Sequence, residues 1–135
     1  MSTKRECVAL GMAFFDETDP GWWREDIDRP IDLASLDLAS TELCILGQRC
    51  PLEVLAAYGS EPVHRRRRAK ESRENGFFAY AHVLSGVVVG PDGPEVAFDR
   101  LIDWAIERGF TARTEAEFKP LAAEWSERIR ERRAA

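Results

Sequence analysis

The stretch Pro94-Glu95-Val96-Ala97-Phe98-Asp99-Arg100-Leu101-Ile102-Asp103-Trp104-Ala105-Ile106-Glu107-Arg108-Gly109-Phe110 is the clearest structural statement in the chain. Phe98, Leu101, Ile102 and Ala105 fall at i, i+3, i+4 and i+7, one face of a helix. Pro94 stands near its start and Gly109 just past its end, the residues that open and stop helices. Phe110 follows the glycine and can fold back on the helix, the apolar partner of a Schellman stop. Thr114-Glu115-Ala116-Glu117 then has the spacing of a capping box, Thr at the N-cap and Glu at N3. The helix it predicts carries Phe118, Leu121, Ala122, Trp125 and Ile129 on one face. Its acids come early and Arg128, Arg130, Arg132 and Arg133 come late, as the helix dipole prefers. Pro120 lies inside the pattern and predicts a kink or a delayed start.

Working outward, residues 4–16 predict a first helix with Val8, Met12 and Phe15 on one face and Cys7, Leu10 and Phe14 on a second. An element apolar on most sides belongs in a core. Pro20-Gly21 is a turn pair, and Trp22-Trp23 follow it directly. Residues 27–38 read as an extended or one-turn connector. Ser40 or Thr41 can cap a short helix carrying Leu43, Ile45 and Leu46. Gly47 and Pro51 suggest a break, with a further helix running through Tyr58 and closed by Gly59. Ser60 to Gly76 is the most polar segment and ends in the stop signal Asn75-Gly76. Phe77 to Val89 suits helix or strand, and Val87-Val88-Val89 leans toward strand. The expected fold is mainly α: a compact single-domain helical body over residues 1–135, with room for a small β element near residues 83–89.

At 135 residues the chain has the size of one domain. A domain of that size buries roughly two-thirds of the surface its unfolded chain exposes. With 44% hydrophobic residues and a net charge of −5, the composition is that of a folded protein. The longest apolar run, Cys7 to Phe15, is nine residues, far short of the ~20 a spanning helix needs. It ends in Asp16-Glu17 with no small-residue cleavage site, which argues against a secretory signal. Three cysteines form an odd, sparse set that suits reduced thiols and a cytoplasmic setting.

Charge is unevenly spread. Residues 16–42 hold nine acids against Arg24 and Arg29, whereas residues 43–75 carry a net of +3. Within the acidic stretch, Trp22 and Trp23 with Asp26 and Asp28 are the candidate partner-binding residues. Adjacent side chains on a turn cannot both enter one core, and exposed Trp is favoured at interaction hot spots. The competing reading is that one Trp plugs the end of the first helix while the other lies across the surface. His64-Arg65-Arg66-Arg67-Arg68-Ala69-Lys70 is the sharpest basic cluster. Its guanidinium groups match phosphates, so Arg65, Arg66, Arg67, Arg68 and Lys70 are candidate nucleic-acid contacts. No aromatics interleave them and the chain as a whole is acidic, which favours a solvated face.

Chemistry finds few parts. Cys44, Cys50, His64 and His82 lack the paired spacing of a zinc site, so no metal is expected. A Pro91-Asp92 … Glu117-Phe118-Lys119 match to a metal-dependent nuclease pattern fails on placement. Asp92 sits in a Pro/Gly turn, and Glu117 is read as a helix cap. There is no Walker loop, His-Glu-x-x-His, Gly-x-Ser-x-Gly or Cys-x-x-Cys, and the chain has two histidines. No catalytic residue and no cofactor is expected.

Three stretches, Phe15-Asp16-Glu17 … Pro20-Gly21-Trp22-Trp23, Leu36-Asp37-Leu38-Ala39-Ser40 … Cys44-Ile45-Leu46-Gly47-Gln48, and Gly109-Phe110 … Leu121 … Trp125 … Ile129, resemble a group of small uncharacterised proteins of actinobacteria and their phages. The resemblance covers roughly residues 13–49 and 97–130. It carries no assigned chemistry, but it implies a phage or prophage origin and a small protein that binds a host component. The expected function is therefore non-enzymatic binding of a host or phage protein through an acidic and aromatic surface. The alternative is a nucleic-acid-binding accessory protein using Arg65–Arg68. No membrane partner is expected, and an isologous contact through the tryptophans would make a homodimer.

Overall fold

In chain order, the helices are α1 (Lys4–Thr18), α2 (Ile45–Arg49), α3 (Leu52–Ser60), α4 (Gly76–Ser85), α5 (Pro94–Glu107) and α6 (Phe118–Ala134). A computed structural model describes residues 3–60, 76–87 and 90–135. Among these residues the protein is mainly helical, as the apolar periodicities predict, and holds no strand. The segment that suits helix or strand is α4 as far as Ser85; residues 86 and 87 are irregular, and 88 and 89 lie outside the described residues. No helix among the described residues is long and apolar enough to cross a membrane.

Helix ends show where local chemistry acts. Thr3 forms a true capping box on α1: its hydroxyl accepts the Glu6 N–H at 3.1 Å, and the Glu6 carboxylate accepts the Thr3 N–H at 3.1 Å. The box expected at Thr114 does not form. There the Thr114 hydroxyl donates to the Glu117 carboxylate at 2.8 Å, and Glu115–Glu117 make a 3-10 turn leading into α6. Pro120 is the third residue of α6, where its missing N–H costs nothing, so the proline delays the helix start. The α5 stop is as expected: Gly109 takes φ +71°, and Phe110 N–H donates to Ala105 C=O at 2.9 Å. The cap of α2 is neither Ser40 nor Thr41 but Cys44, whose Sγ accepts the Gly47 N–H at 3.3 Å. The Ser40 hydroxyl instead serves a preceding turn, accepting the N–H groups of Glu42 and Leu43.

Packing joins α1, α5 and α6 on one side to α2, α3 and α4 on the other, with α4 also touching α5. Two close approaches need glycine. A Cβ on Gly11 of α1 would meet the Arg108 carbonyl oxygen and, at 2.9 Å, the Trp125 ring. A Cβ on Gly76 would come within 3.0 Å of the Gly47 Cα, so α2 and the start of α4 meet backbone to backbone. Phe77 N–H donates to the Thr41 carbonyl at 2.9 Å across that contact. The core is strongly aromatic. Phe15 stacks on Trp22 with ring centres 5.3 Å apart and meets Phe110 edge-on at 5.2 Å. Phe110 stacks on Trp125 at 5.6 Å, and Phe15, Trp22, Phe110 and Trp125 are all fully buried. Full burial of side chains of this kind stabilises by ~1.5–3 kcal/mol each, with ring geometry adding to it.

Candidate functional site

The turn after α1 decides where the two adjacent tryptophans go. Gly21 takes φ +78°, and Trp22 N–H donates back to the Asp19 carbonyl at 3.0 Å. This reverses the chain, so the Trp22 ring packs onto the end of α1. It stacks on Phe15, meets Trp125 edge-on at 5.8 Å and donates its indole N–H to Asp16 Oδ1 at 3.0 Å. Trp22 is 0% exposed, which removes it from the partner-binding residues: its area is spent on the core. Trp23 is half-buried across the surface, so the competing arrangement, one indole plugging and one lying outside, is what the fold adopts.

Trp23 lines an open groove of about 300 Å³ together with Arg24, Glu25, Asp26, Arg132 and Arg133. The Arg24 guanidinium grips Asp26 with two hydrogen bonds of 2.9 and 2.7 Å, which holds the Asp26 carboxyl below its usual range. Asp28 points outward with its side chain 95% exposed, and its backbone carbonyl accepts from Arg49. Asp26 thus borders the Trp23 groove, while Asp28 does not line it.

Two arginine clasps hold the segment that carries Trp23. From α6, Arg132 donates to both oxygens of Asp16 at 2.6 and 2.9 Å, and Arg133 donates to the carbonyls of Trp23 and Ile31, each at 2.7 Å. Arg132 and the Trp22 indole N–H together hold the Asp16 carboxyl below its ordinary value, the Arg132 hydrogen bond foremost. From α2, buried Arg49 pairs with Asp19 through two hydrogen bonds of 2.9 Å and also donates to the carbonyls of Asp28 and Arg29. Arg29 returns a hydrogen bond to the Arg49 carbonyl at 2.6 Å and sits in the left-handed region at φ +52°. Sequence reading missed all four roles. Arg132 and Arg133 looked like complements of a helix dipole. Arg49 gave one faint signal, the lone charge within Cys44–Cys50.

Much of the acidic stretch is therefore used internally. Asp16, Asp19 and Asp26 face arginines, and Asp32 holds the Ser35 hydroxyl and the Ala34 N–H. Glu17, Glu25 and Glu42 are exposed and make no ion pair among the described residues.

The other candidates are not drawn together. No group of three or more His, Cys, Asp or Glu side chains among the described residues could hold a metal ion. Cys44 caps α2, and its burial pushes the thiol up to about 12. Cys50 is buried, and His82 Nδ1 lies 3.1 Å from the Val87 carbonyl. Asp92 pairs with Arg100 at 2.9 Å in its own turn, away from any role with Glu117, which holds Thr114. The basic cluster, with Arg65, Arg66, Arg67, Arg68 and Lys70, lies outside the described residues. No protein-family model, no curated protein and no solved structure matches the chain, so its functional reading stands on this geometry.

Proposed function

We propose that the protein works without catalysis, by binding a basic surface on another protein through the Trp23 groove. The observation that carries this is a half-buried indole held in an open groove beside Glu25, the lining acid that makes no ion pair among the described residues. Trp23 is pre-organised, because its own carbonyl is held by Arg133 and the turn before it by the Asp19–Arg49 pair. An aromatic already fixed in place loses little further freedom on binding, which is what makes such residues hot spots. Glu17 and Glu25, which make no ion pair among the described residues, supply negative charge for steering a cationic partner. The resemblance to actinobacterial and phage proteins makes a host or phage protein the source of that surface.

The test is capture from an actinobacterial lysate followed by binding kinetics on the protein recovered. Trp23→Ala is expected to weaken binding at least ~10-fold, mainly through faster dissociation. Glu25→Gln should slow association and flatten its salt dependence. Both variants should keep the helical circular dichroism of the parent. The same prey captured with the same affinity by Trp23→Ala would sink the proposal.

A further inference from the structure

The Trp23 groove holds two parts of an arrangement that the protein completes elsewhere. Around Trp22, the Arg132 guanidinium lies over the indole, 5.7 Å from the ring centre, while donating to both Asp16 oxygens. Carboxylate, guanidinium and indole satisfy one another there: the cation meets the negative face of the ring, and the carboxylate accepts its N–H groups. In the groove, Trp23 and Glu25 supply an indole and a carboxylate two residues apart. Among the described residues the Trp23 ring makes no aromatic or cation–π contact, and Glu25 makes no ion pair. The three arginines that line the groove are already committed. Arg24 is held by Asp26, and Arg132 by Asp16. Arg133 donates to the carbonyls of Trp23 and Ile31. Its charge also adds to the Ser35 hydroxyl, the foremost cause, in holding the Asp32 carboxyl below its ordinary value. Each of these cations has an acid of its own, and Glu25 is left over.

We infer, resting on the reading of this groove as a partner site, that the group it receives is an arginine side chain of the partner, its guanidinium on the Trp23 indole and paired with Glu25. Arginine fits better than lysine. A planar guanidinium stacks on an indole and meets a carboxylate with two N–H groups at once, whereas an ammonium is a strongly hydrated point charge. An apolar residue would leave Glu25 without a partner, and an acidic one would be repelled by it.

The test is a titration with three capped peptides, Gly-Ser-X-Ser-Gly with X arginine, lysine or citrulline, to about 50 mM at constant ionic strength. The indole N–H signals of the four tryptophans are followed by NMR, that of Trp23 being identified by its loss in Trp23→Phe. The arginine peptide is expected to shift the Trp23 signal saturably, with a half-point of about 1–10 mM, as suits a single side chain. The lysine peptide should bind at least ~3-fold more weakly, and the citrulline peptide, planar but uncharged, more weakly still. Glu25→Gln, at an exposed position, should weaken the arginine peptide ~2–5-fold. No saturable Trp23 shift with the arginine peptide would overturn the inference. So would equal binding of the lysine or citrulline peptide, or unchanged binding to Glu25→Gln. If any of these occurs while Trp23→Ala still loses the captured protein, the partner reading stands and only its arginine falls. If the arginine peptide binds but Trp23→Ala captures the same protein with the same affinity, the partner reading falls instead.

Discussion

Gly11 shows how one missing methyl group sets the packing of three helices. Its bare Cα lets the Arg108 carbonyl and the Trp125 ring reach α1, and Trp125 donates its indole N–H to the Gly109 carbonyl at 2.6 Å. Gly11→Ala forces a methyl into backbone and a buried ring, neither of which can give way cheaply. The expected cost is about 2–3 kcal/mol, read from the urea midpoint at unchanged m-value. The same scale explains the tryptophans. Both have the same chemistry and adjacent positions, yet Trp22 belongs to the core and Trp23 to the surface. The difference is the direction in which the Pro20-Gly21 turn sends each side chain.

At the scale of elements, α6 does two jobs. Leu121, Trp125 and Ile129 build the core, and the last turns place Arg132 on the end of α1 and Arg133 on the segment after it. The Asp16–Arg132 pair makes this docking sensitive to acid. The Asp16 carboxyl is held below its ordinary value in the folded protein, so its contribution is complete above the unfolded value, about 4. That contribution fades as pH falls through the lower folded value. Asp16→Ala is expected to lose about 1 kcal/mol at neutral pH and to flatten the acid limb of the stability profile. Thermal unfolding from about pH 2 to 7 checks it, and a limb as steep as the wild type's would show that other carboxylates dominate. Helix boundaries also belong to this scale. Thr3-x-x-Glu6 closes a capping box where the same spacing at Thr114 does not, and Cys44 rather than Ser40 caps α2, because an N-cap is chosen by which residue the packed chain leaves at the helix entrance.

Across the whole molecule, an acidic front and scattered arginines are reconciled by folding. Arg49 lies in α2 and Asp19 after α1, yet buried Arg49 pairs with half-buried Asp19 and ties the two halves together. A buried pair adds little over apolar packing, but removing one member strands the other. Asp19→Ala should therefore cost about 3–5 kcal/mol in urea unfolding. Asp19→Ala combined with Arg49→Met should recover part of that loss. If the double variant is no more stable than the single one, the carbonyl contacts of Arg49 matter more than its charge partner.

The helical class, the stop at Gly109, the buried faces of α5 and α6 and the Val8, Met12 and Phe15 face of α1 were legible in the residues alone, whereas Leu10 on the second face expected in the core is 53% exposed. They depend on periodicity and local dihedral preference, which a short window contains. Which tryptophan is buried, which acids are neutralised and which surface stays open could not be read that way. Those outcomes hang on contacts between residues far apart in the chain, such as Asp16 with Arg132 and Asp19 with Arg49. Whether a carboxylate faces water or a guanidinium is decided by where the helices carry it, and only the packed molecule determines that.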